Sequence, residues 1–332
     1  MRITVIGAGR MGLAHITTLS GLPGIDELSI ADLDPERARS AAAQVNARAL
    51  SIDEAFAGPT DGLVIVAPTS EHAPLIKRAI DAGIPTFCEK PVAESIAATR
   101  DVVAKAAAST VPVQIGFQRR FDPGYVTAKA ALSSGKLGGL RRAHVMTCDP
   151  APPSASYIPN SGGIFRDCSI HDFDIVRWVT GREVDYVYAA GVNRGADFFG
   201  AAGDIDEAAA VLVMDDGTLV TAQASRYNGA GYDVRMELAG TDGQITVGLD
   251  ERTPITSAEA GVTFPTGVPW PDFQSRFHTA YATELETFLQ VAQGAIPSPC
   301  TPADALAALY IAEAADLSRR EGRPVRLAEV QS

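Results

Sequence analysis

The chain has 332 residues, 46% of them hydrophobic and 20% charged, with a formal net charge of −12; this is the balance of a globular protein with room for two domains. Its densest basic spots are the short pairs Arg119-Arg120, Arg141-Arg142 and Arg319-Arg320, too little positive charge in one place to hold a nucleic acid. No apolar run approaches the roughly 18 residues of a membrane span, so no membrane partner is expected.

From the N-terminus, the apolar strand Ile3–Ile6 runs directly into Gly7-Ala8-Gly9-Arg10-Met11-Gly12. Nothing here resembles the separate apolar segment and cleavage site of a secretory signal. Further apolar runs predict buried strands at Leu28–Ala31, Leu63–Ala67, Thr86–Cys88 and Val113–Phe117, alternating with helices at Pro35–Val45, His72–Ala82 and Ala93–Ala108. Strand-helix alternation implies right-handed crossovers and a parallel sheet covered on both faces. Residues 1–120 are therefore expected to form an α/β dinucleotide-binding domain of the Rossmann type.

The glycine motif is informative through its context. It follows a strand, opens a helix, and is trailed by Asp32, which stands 20 residues after Gly12 (32 − 12) at the end of the next strand. Gly7 makes the tight turn, Gly9 lets the backbone approach a pyrophosphate, and Gly12 lets the helix pack on the strand. The phosphates then meet the helix N-terminus. Asp32 accepts the two ribose hydroxyls and repels a 2′-phosphate, which favours NAD over NADP. Glu89-Lys90-Pro91 follows the fourth strand at the carboxyl edge of the sheet, where a lysine can donate to a substrate oxygen.

Beyond residue 120 the rhythm changes. A helix at Gly124–Ser133 and a loop at Asp149–Gly163 punctuate alternating strands at Arg141–Thr147, Val184–Val192, Ala208–Met214, Leu219–Arg226, Val234–Leu238 and Gln244–Val247. Asp216-Gly217 and Asp242-Gly243 read as hairpin turns, and helices near His278–Gln293 and Pro302–Arg320 close the chain. Residues 121–332 are expected to form an α+β domain on a large open antiparallel sheet, for substrate binding and oligomerisation. One face of such a sheet is left for a subunit contact.

Within that domain, Asp167 and His171 stand at i and i+4, on one face of a helix if Cys168–Val179 is helical. His171 titrates near neutral pH and can take a hydroxyl proton as hydride leaves the carbon. Asp167 either holds a substrate hydroxyl or orients the imidazole. A zinc site needs three or four ligands, and His15, His72, His144 and His278 are scattered, so no metal is expected. Cys88, Cys148, Cys168 and Cys300 lack any C-x-x-C pairing and read as reduced thiols of a cytoplasmic protein.

The glycine motif, Glu89-Lys90-Pro91, Gly116-Phe117-Gln118-Arg119-Arg120-Phe121-Asp122-Pro123 and the Gly162–Asp174 segment together resemble the Gfo/Idh/MocA oxidoreductase family over nearly the whole chain. Asp149-Pro150-Ala151-Pro152-Pro153 and Arg276–Tyr281 are similar to its myo-inositol 2-dehydrogenase branch. The resemblance implies that Lys90, Asp167 and His171 are the catalytic set. It also implies that Ala67, Pro68, Thr69 and His72 line the nicotinamide side, that Glu89 and Gln118 lie near cofactor or substrate, and that Arg119, Asp149 and Tyr281 contact a polyol. Gly7, Gly9, Arg10, Met11, Gly12 and Asp32 complete the cofactor set, and the assembly implied is a homotetramer joined through the open sheet. Arg166, where that branch carries an apolar residue, Cys168 in place of methionine, and the stretches 195–206 and 227–232 depart from the pattern.

The expected activity is NAD-dependent oxidation of a secondary hydroxyl of a cyclic polyol, myo-inositol foremost, to the ketone. The alternatives are an NAD(P)-dependent aldose or other sugar dehydrogenase on the same scaffold, and a dinucleotide-binding sensor without catalysis.

Overall fold

The computed structural model describes residues 1–331. The chain divides into two compact units: Met1–Phe121 with Thr279–Leu306, and Asp122–His278 with the residues from Ala307 onward.

The first unit is built on β1 (Arg2–Ile6), β2 (Glu27–Ala31), β3 (Arg48–Leu50), β4 (Gly62–Ile65), β5 (Thr86–Glu89) and β6 (Val113–Gly116), which form one sheet in the order β3-β2-β1-β4-β5-β6. Every pair is parallel. The crossovers are α1 (Arg10–Gly21), α2 (Pro35–Gln44), α3 (Ile52–Ala57), α4 (Thr69–Asp81) and α5 (Ile96–Ala107). Local chemistry sets their starts: Asp34 caps α2 by accepting the Glu36 and Arg37 N–H groups with Pro35 at the first turn, and Ser51 with Glu54 forms a capping box on α3. The strand β3 and helix α3 were not expected from the sequence; they are three and six residues long, too short to show a hydrophobic period.

The core of this unit joins Ile3, Val5, Ile30, Val64 and Phe87 with Leu285, Phe288 and Leu289 of the helix His278–Ala292. Each such side chain buried contributes about 1.5–3 kcal/mol, which explains why a late helix returns to the first sheet. The strand order reverses between β1 and β4, and this switch point is where an open α/β sheet offers a crevice at its carboxyl edge.

The second unit holds α6 (Pro123–Ser133), β7 (Leu140–Cys148), α7 (Ile158–Ser161), α8 (Ile170–Thr180), β8 (Val184–Val192), β9 (Glu207–Met214), β10 (Leu219–Ser225), β11 (Asp233–Gly240), β12 (Gln244–Val247) and the short β13 (Val325–Arg326). The sheet order is β12-β11-β7-β10-β9-β8-β13. Asp216-Gly217 and Asp242-Gly243 join antiparallel neighbours as expected, Gly217 at φ 84°. The sheet is nevertheless mixed rather than wholly antiparallel, because β10 pairs with β7 in parallel. The chain leaves β7, crosses through α8 to β8 near the far edge, and folds back by two antiparallel steps, so β10 arrives beside β7 running the same way.

Alternation along β8, β9 and β10 buries Val187, Ala189, Ala210, Leu212, Val220 and Ala222 on one face. The opposite face exposes Tyr188 (44%), Val211 (39%) and Leu219 (52%). No helix among the described residues is long and apolar enough to cross a membrane.

Candidate active site

In the first unit, the expected cofactor residues lie at or after the carboxyl ends of strands, Glu89 being the last residue of β5. Gly7 comes after β1, Asp32 after β2, Ala67-Pro68-Thr69 after β4, Lys90 after β5 and Gln118 after β6. Gly7 sits at φ 107°, and a Cβ there would lie 2.5 Å from the Val66 carbonyl oxygen. A Cβ on Gly12 would fall 2.1 Å from the Gly7 oxygen, so the helix and the turn touch backbone to backbone. Gly9 is different: a Cβ there would meet nothing within 4 Å. It is the N-cap of α1, offers no side-chain cap to the first N–H groups, and is exposed beside Arg10, with Met11 half-buried. The start of a 12-residue helix, without a side-chain cap from Gly9 and beside open space, is the kind of donor set an anionic pyrophosphate needs. The residues present fit a dinucleotide.

Asp32 is fixed by its own fold. Its Oδ2 accepts the Ala8 N–H at 2.8 Å and its Oδ1 accepts the Asp34 N–H at 2.8 Å. Arg37, one helical turn on, reaches Asp32 at 3.7 Å and Asp34 at 3.6 Å from a half-exposed position.

Around Lys90 two buried histidines do the anchoring. His72, 2% exposed, meets the Pro91 carbonyl through Nδ1 at 2.6 Å and the Ala67 carbonyl through Nε2 at 2.8 Å, tying the loop after β4 to the loop after β5. Its ring is thus engaged by backbone on both sides. His15 of α1 meets Glu89 Oε1 at 2.7 Å, and Glu89 Oε2 accepts the Lys90 N–H at 3.2 Å. The rings of Phe87 and Tyr281 stand edge-on to His15 at 5.6 and 5.7 Å. Tyr281 is therefore brought into the Glu89 cluster. Gln118 and Arg119 lie in a single turn of 3-10 helix and are buried. His15 was not singled out from the sequence; its position one helical turn after Gly12 was the signal available.

In the second unit, the segment 165–180 is not one regular helix. Phe165–Ser169 forms a π-helical turn that leads into α8, placing Asp167 in the wide turn and His171 in the first turn of α8. Such insertions recur at functional sites. Asp167 Oδ1 accepts the Tyr157 hydroxyl at 2.9 Å, and Oδ2 accepts Arg226 Nη2 at 2.7 Å. The same guanidinium donates through Nη1 to Asp149 Oδ2 at 3.2 Å, which also receives the Cys168 thiol at 3.7 Å. Asp149, Asp167, Tyr157 and Arg226 are thus one network.

Burial pushes the Asp149 carboxyl above the usual carboxylate range, with Arg226 working against it. Burial and the Asp167 carboxylate hold the Tyr157 phenol up, so it stays a donor. Tyr157 and Arg226 were missed in the sequence, because a tyrosine in a loop and an arginine at a strand end carry no spacing signal. Arg166 spends its charge on Glu313. All four cysteines are buried thiols, none in a disulfide, and burial pushes Cys148 up to about 12. Among the described residues no cluster of metal-ligating side chains occurs.

The chain matches known proteins along nearly its whole length. The family model described as an oxidoreductase family with an NAD-binding Rossmann fold matches residues 1–117, and that of the Gfo/Idh/MocA C-terminal domain matches residues 125–246. The chain is 36% identical to scyllo-inositol 2-dehydrogenase (NAD(+)) of Bacillus subtilis, over 98% of this chain and 96% of that one. It is 36% identical to inositol 2-dehydrogenase of Rhizobium meliloti, over 99% of each. The crystal structure of scyllo-inositol dehydrogenase from Lactobacillus casei, with bound NAD(H) and scyllo-inositol, superposes with a TM-score of 0.90 at 29% identity, over 99% of each chain.

Proposed function

The chain belongs to the Gfo/Idh/MocA family of NAD-binding oxidoreductases, and from that premise we propose that it oxidises a secondary hydroxyl of an inositol or similar cyclic polyol to the ketone, with NAD as hydride acceptor. The observation that carries this reading is the placement of Asp167 in the π-turn and His171 in the first turn of α8, on a chain whose other unit presents Lys90 just after β5 at the carboxyl edge of the parallel sheet.

Bound NAD supplies the acceptor that takes the hydride from the carbinol carbon. The protein handles the proton and the oxygen. His171 accepts the hydroxyl proton and returns it to solvent, so one hydride and one proton leave the alcohol. A positioned base of this kind contributes about 10²–10⁴-fold. Lys90 donates to the substrate oxygen as negative charge grows on it. Asp167 serves as a fixed hydrogen-bond acceptor for a substrate hydroxyl or for the imidazole. Gly7–Gly12 and Asp32 hold the pyrophosphate and adenosine ribose.

Initial rates of NADH formation over a panel of inositol isomers and aldoses, with NAD and with NADP, test the assignment. The expected result is turnover with an inositol and NAD. His171→Ala and Lys90→Ala should each lower kcat by about 10²–10⁴-fold while NAD affinity holds. Near wild-type rates in both, or an aldose preferred over every inositol, overturn it.

The exposed face bearing Tyr188, Val211 and Leu219 supports assembly into a homotetramer, a second copy covering the apolar side of the sheet. Light scattering after size exclusion checks this mass. The setting is the cytoplasm, in keeping with four thiols outside any disulfide.

A further inference from the structure

The second unit carries a buried cation that the catalytic assignment does not use. Arg226 is the residue after β10, its side chain 3% exposed, and it divides its two terminal nitrogens between Asp149 and Asp167. Its placement follows from strand direction. In the parallel β7–β10 pair Ser225 stands opposite Cys148, and the Asp149 N–H continues the ladder by donating to the Ser225 carbonyl at 2.9 Å. The next residue of each strand, Asp149 and Arg226, therefore emerges at the same end of the sheet. The Arg226 N–H donates to the Asp206 carbonyl at 2.8 Å, which fixes the backbone from the other side.

We propose that Arg226 is a positioning residue for the oxidation: anchored on Asp149, it holds Asp167 as an anion and aims it within the π-turn. This rests on the functional reading above. A guanidinium is always charged and its planar fork fixes direction as well as distance, so Asp167 is held at one oxygen by a rigid donor and at the other by Tyr157. The titratable groups that meet the clamp are Tyr157 from the 149–163 loop and Cys168 from the π-turn; Asp172 of α8 is held separately by the Thr147 hydroxyl of β7 at 2.8 Å. With both its oxygens engaged by strong donors, Asp167 is an unsuitable proton carrier, and His171 is left as the base. In the same arrangement Asp149 serves as the counter-anchor of Arg226.

The experiment compares wild type, Arg226→Gln, Arg226→Lys and Asp149→Asn as full-length enzyme with NAD and the best inositol. Arg226→Gln is expected to lower kcat by about 10–100-fold, the cost of misplacing a catalytic group by about an ångström. The acid limb of its kcat/KM profile should move up by about one pH unit or more, since the Asp167 carboxylate, one helical turn from the base His171, is no longer neutralised and favours the protonated imidazole. NAD affinity stays within twofold, because the glycine cradle is untouched. Arg226→Lys keeps the charge without the fork, and should restore the acid limb but only part of kcat. Asp149→Asn should keep the acid limb and lose kcat less than Arg226→Gln.

A merely structural role would lower Tm and leave the acid limb in place. If Arg226→Gln does not fold, the two milder variants decide: an unmoved kcat in both overturns the proposal. An active wild type whose folded Arg226→Gln keeps kcat within threefold overturns this inference alone. A wild type that oxidises no polyol overturns the functional reading and this inference with it.

Discussion

Replacing Asp32 isolates what the nucleotide specificity rests on. On the proposed reading that Asp32 holds the adenosine ribose, Asp32→Ala removes a charged acceptor for its two hydroxyls. Hydrogen bonds to charged groups are worth about 1.5–3 kcal/mol, so a net loss of about 2–3 kcal/mol is expected, or about 30- to 150-fold in NAD affinity. The opposite term acts on NADP. A carboxylate and a phosphate at about 4 Å repel by about 1 kcal/mol in water and about 4 kcal/mol near a protein surface, so removing Asp32 should improve NADP binding by about tenfold or more. Arg37, drawn at present toward Asp32 and Asp34, is then released toward the 2′-phosphate. The ratio of kcat/KM for NAD over NADP should fall by at least about 300-fold. Initial rates with both nucleotides at saturating polyol give the ratio, and fluorescence titration gives the affinities directly. Because Asp32 also accepts the Ala8 and Asp34 N–H groups, Asp32→Asn controls for loss of the turn itself. Adding Arg37→Ala should remove only the further NADP gain that Arg37 supplies, leaving the part due to lifted repulsion and the loss for NAD. An Asp32→Ala enzyme that keeps its wild-type ratio within threefold would show that Asp32 does not set the nucleotide preference.

Two glycines in the same loop should separate binding from folding. Gly9→Ala meets nothing within 4 Å, so Tm should hold while NAD affinity, measured by titration, falls by at least about tenfold. Gly12→Ala drives a Cβ to 2.1 Å from the Gly7 oxygen and should cost about 2–4 kcal/mol in a denaturant melt. Asp304 carries a pH signature: burial would raise its carboxyl, but Arg120 and Thr301 outweigh that and hold it below the ordinary value. A depressed folded value means stabilisation present above the unfolded value of about 3.9 and lost as pH falls through the folded one. Asp304→Asn should flatten that acid limb of stability against pH and cost about 1–3 kcal/mol at neutral pH; an acid limb as steep as wild type would count against the pair.

What could be read from the sequence follows from range. The glycine turn, Asp32 and Lys90 are legible because each is tied to an adjacent strand end, and the order of elements alone implies a parallel sheet. The return of Leu285, Phe288 and Leu289 to the first sheet core was not legible, since an amphipathic helix names its buried face but not the surface it covers. Nor was the π-turn at Phe165–Ser169, which keeps the i, i+4 spacing of Asp167 and His171 while changing the local winding. His15 escaped notice because a histidine at helical spacing looks the same whether it faces a carboxylate or an apolar neighbour.

Strand direction accounts for the most consequential of these differences. An all-antiparallel sheet, as the hairpin turns suggested, would run β10 against β7 and bring Arg226 out beside the start of β7, at the opposite end from Asp149. The parallel β7–β10 pair instead delivers both strand ends to one edge, and the loop after β7 adds Tyr157 there. Asp167 thereby gains two donors that no linear spacing announces, one from a strand end and one from a loop. The mixed topology is thus a condition for the site's electrostatics as well as for the fold. A change that loosens the β7–β10 register, such as Ala224→Pro, which removes a ladder N–H next to Ser225, should therefore reproduce the kinetic signature of Arg226→Gln without touching any charged residue.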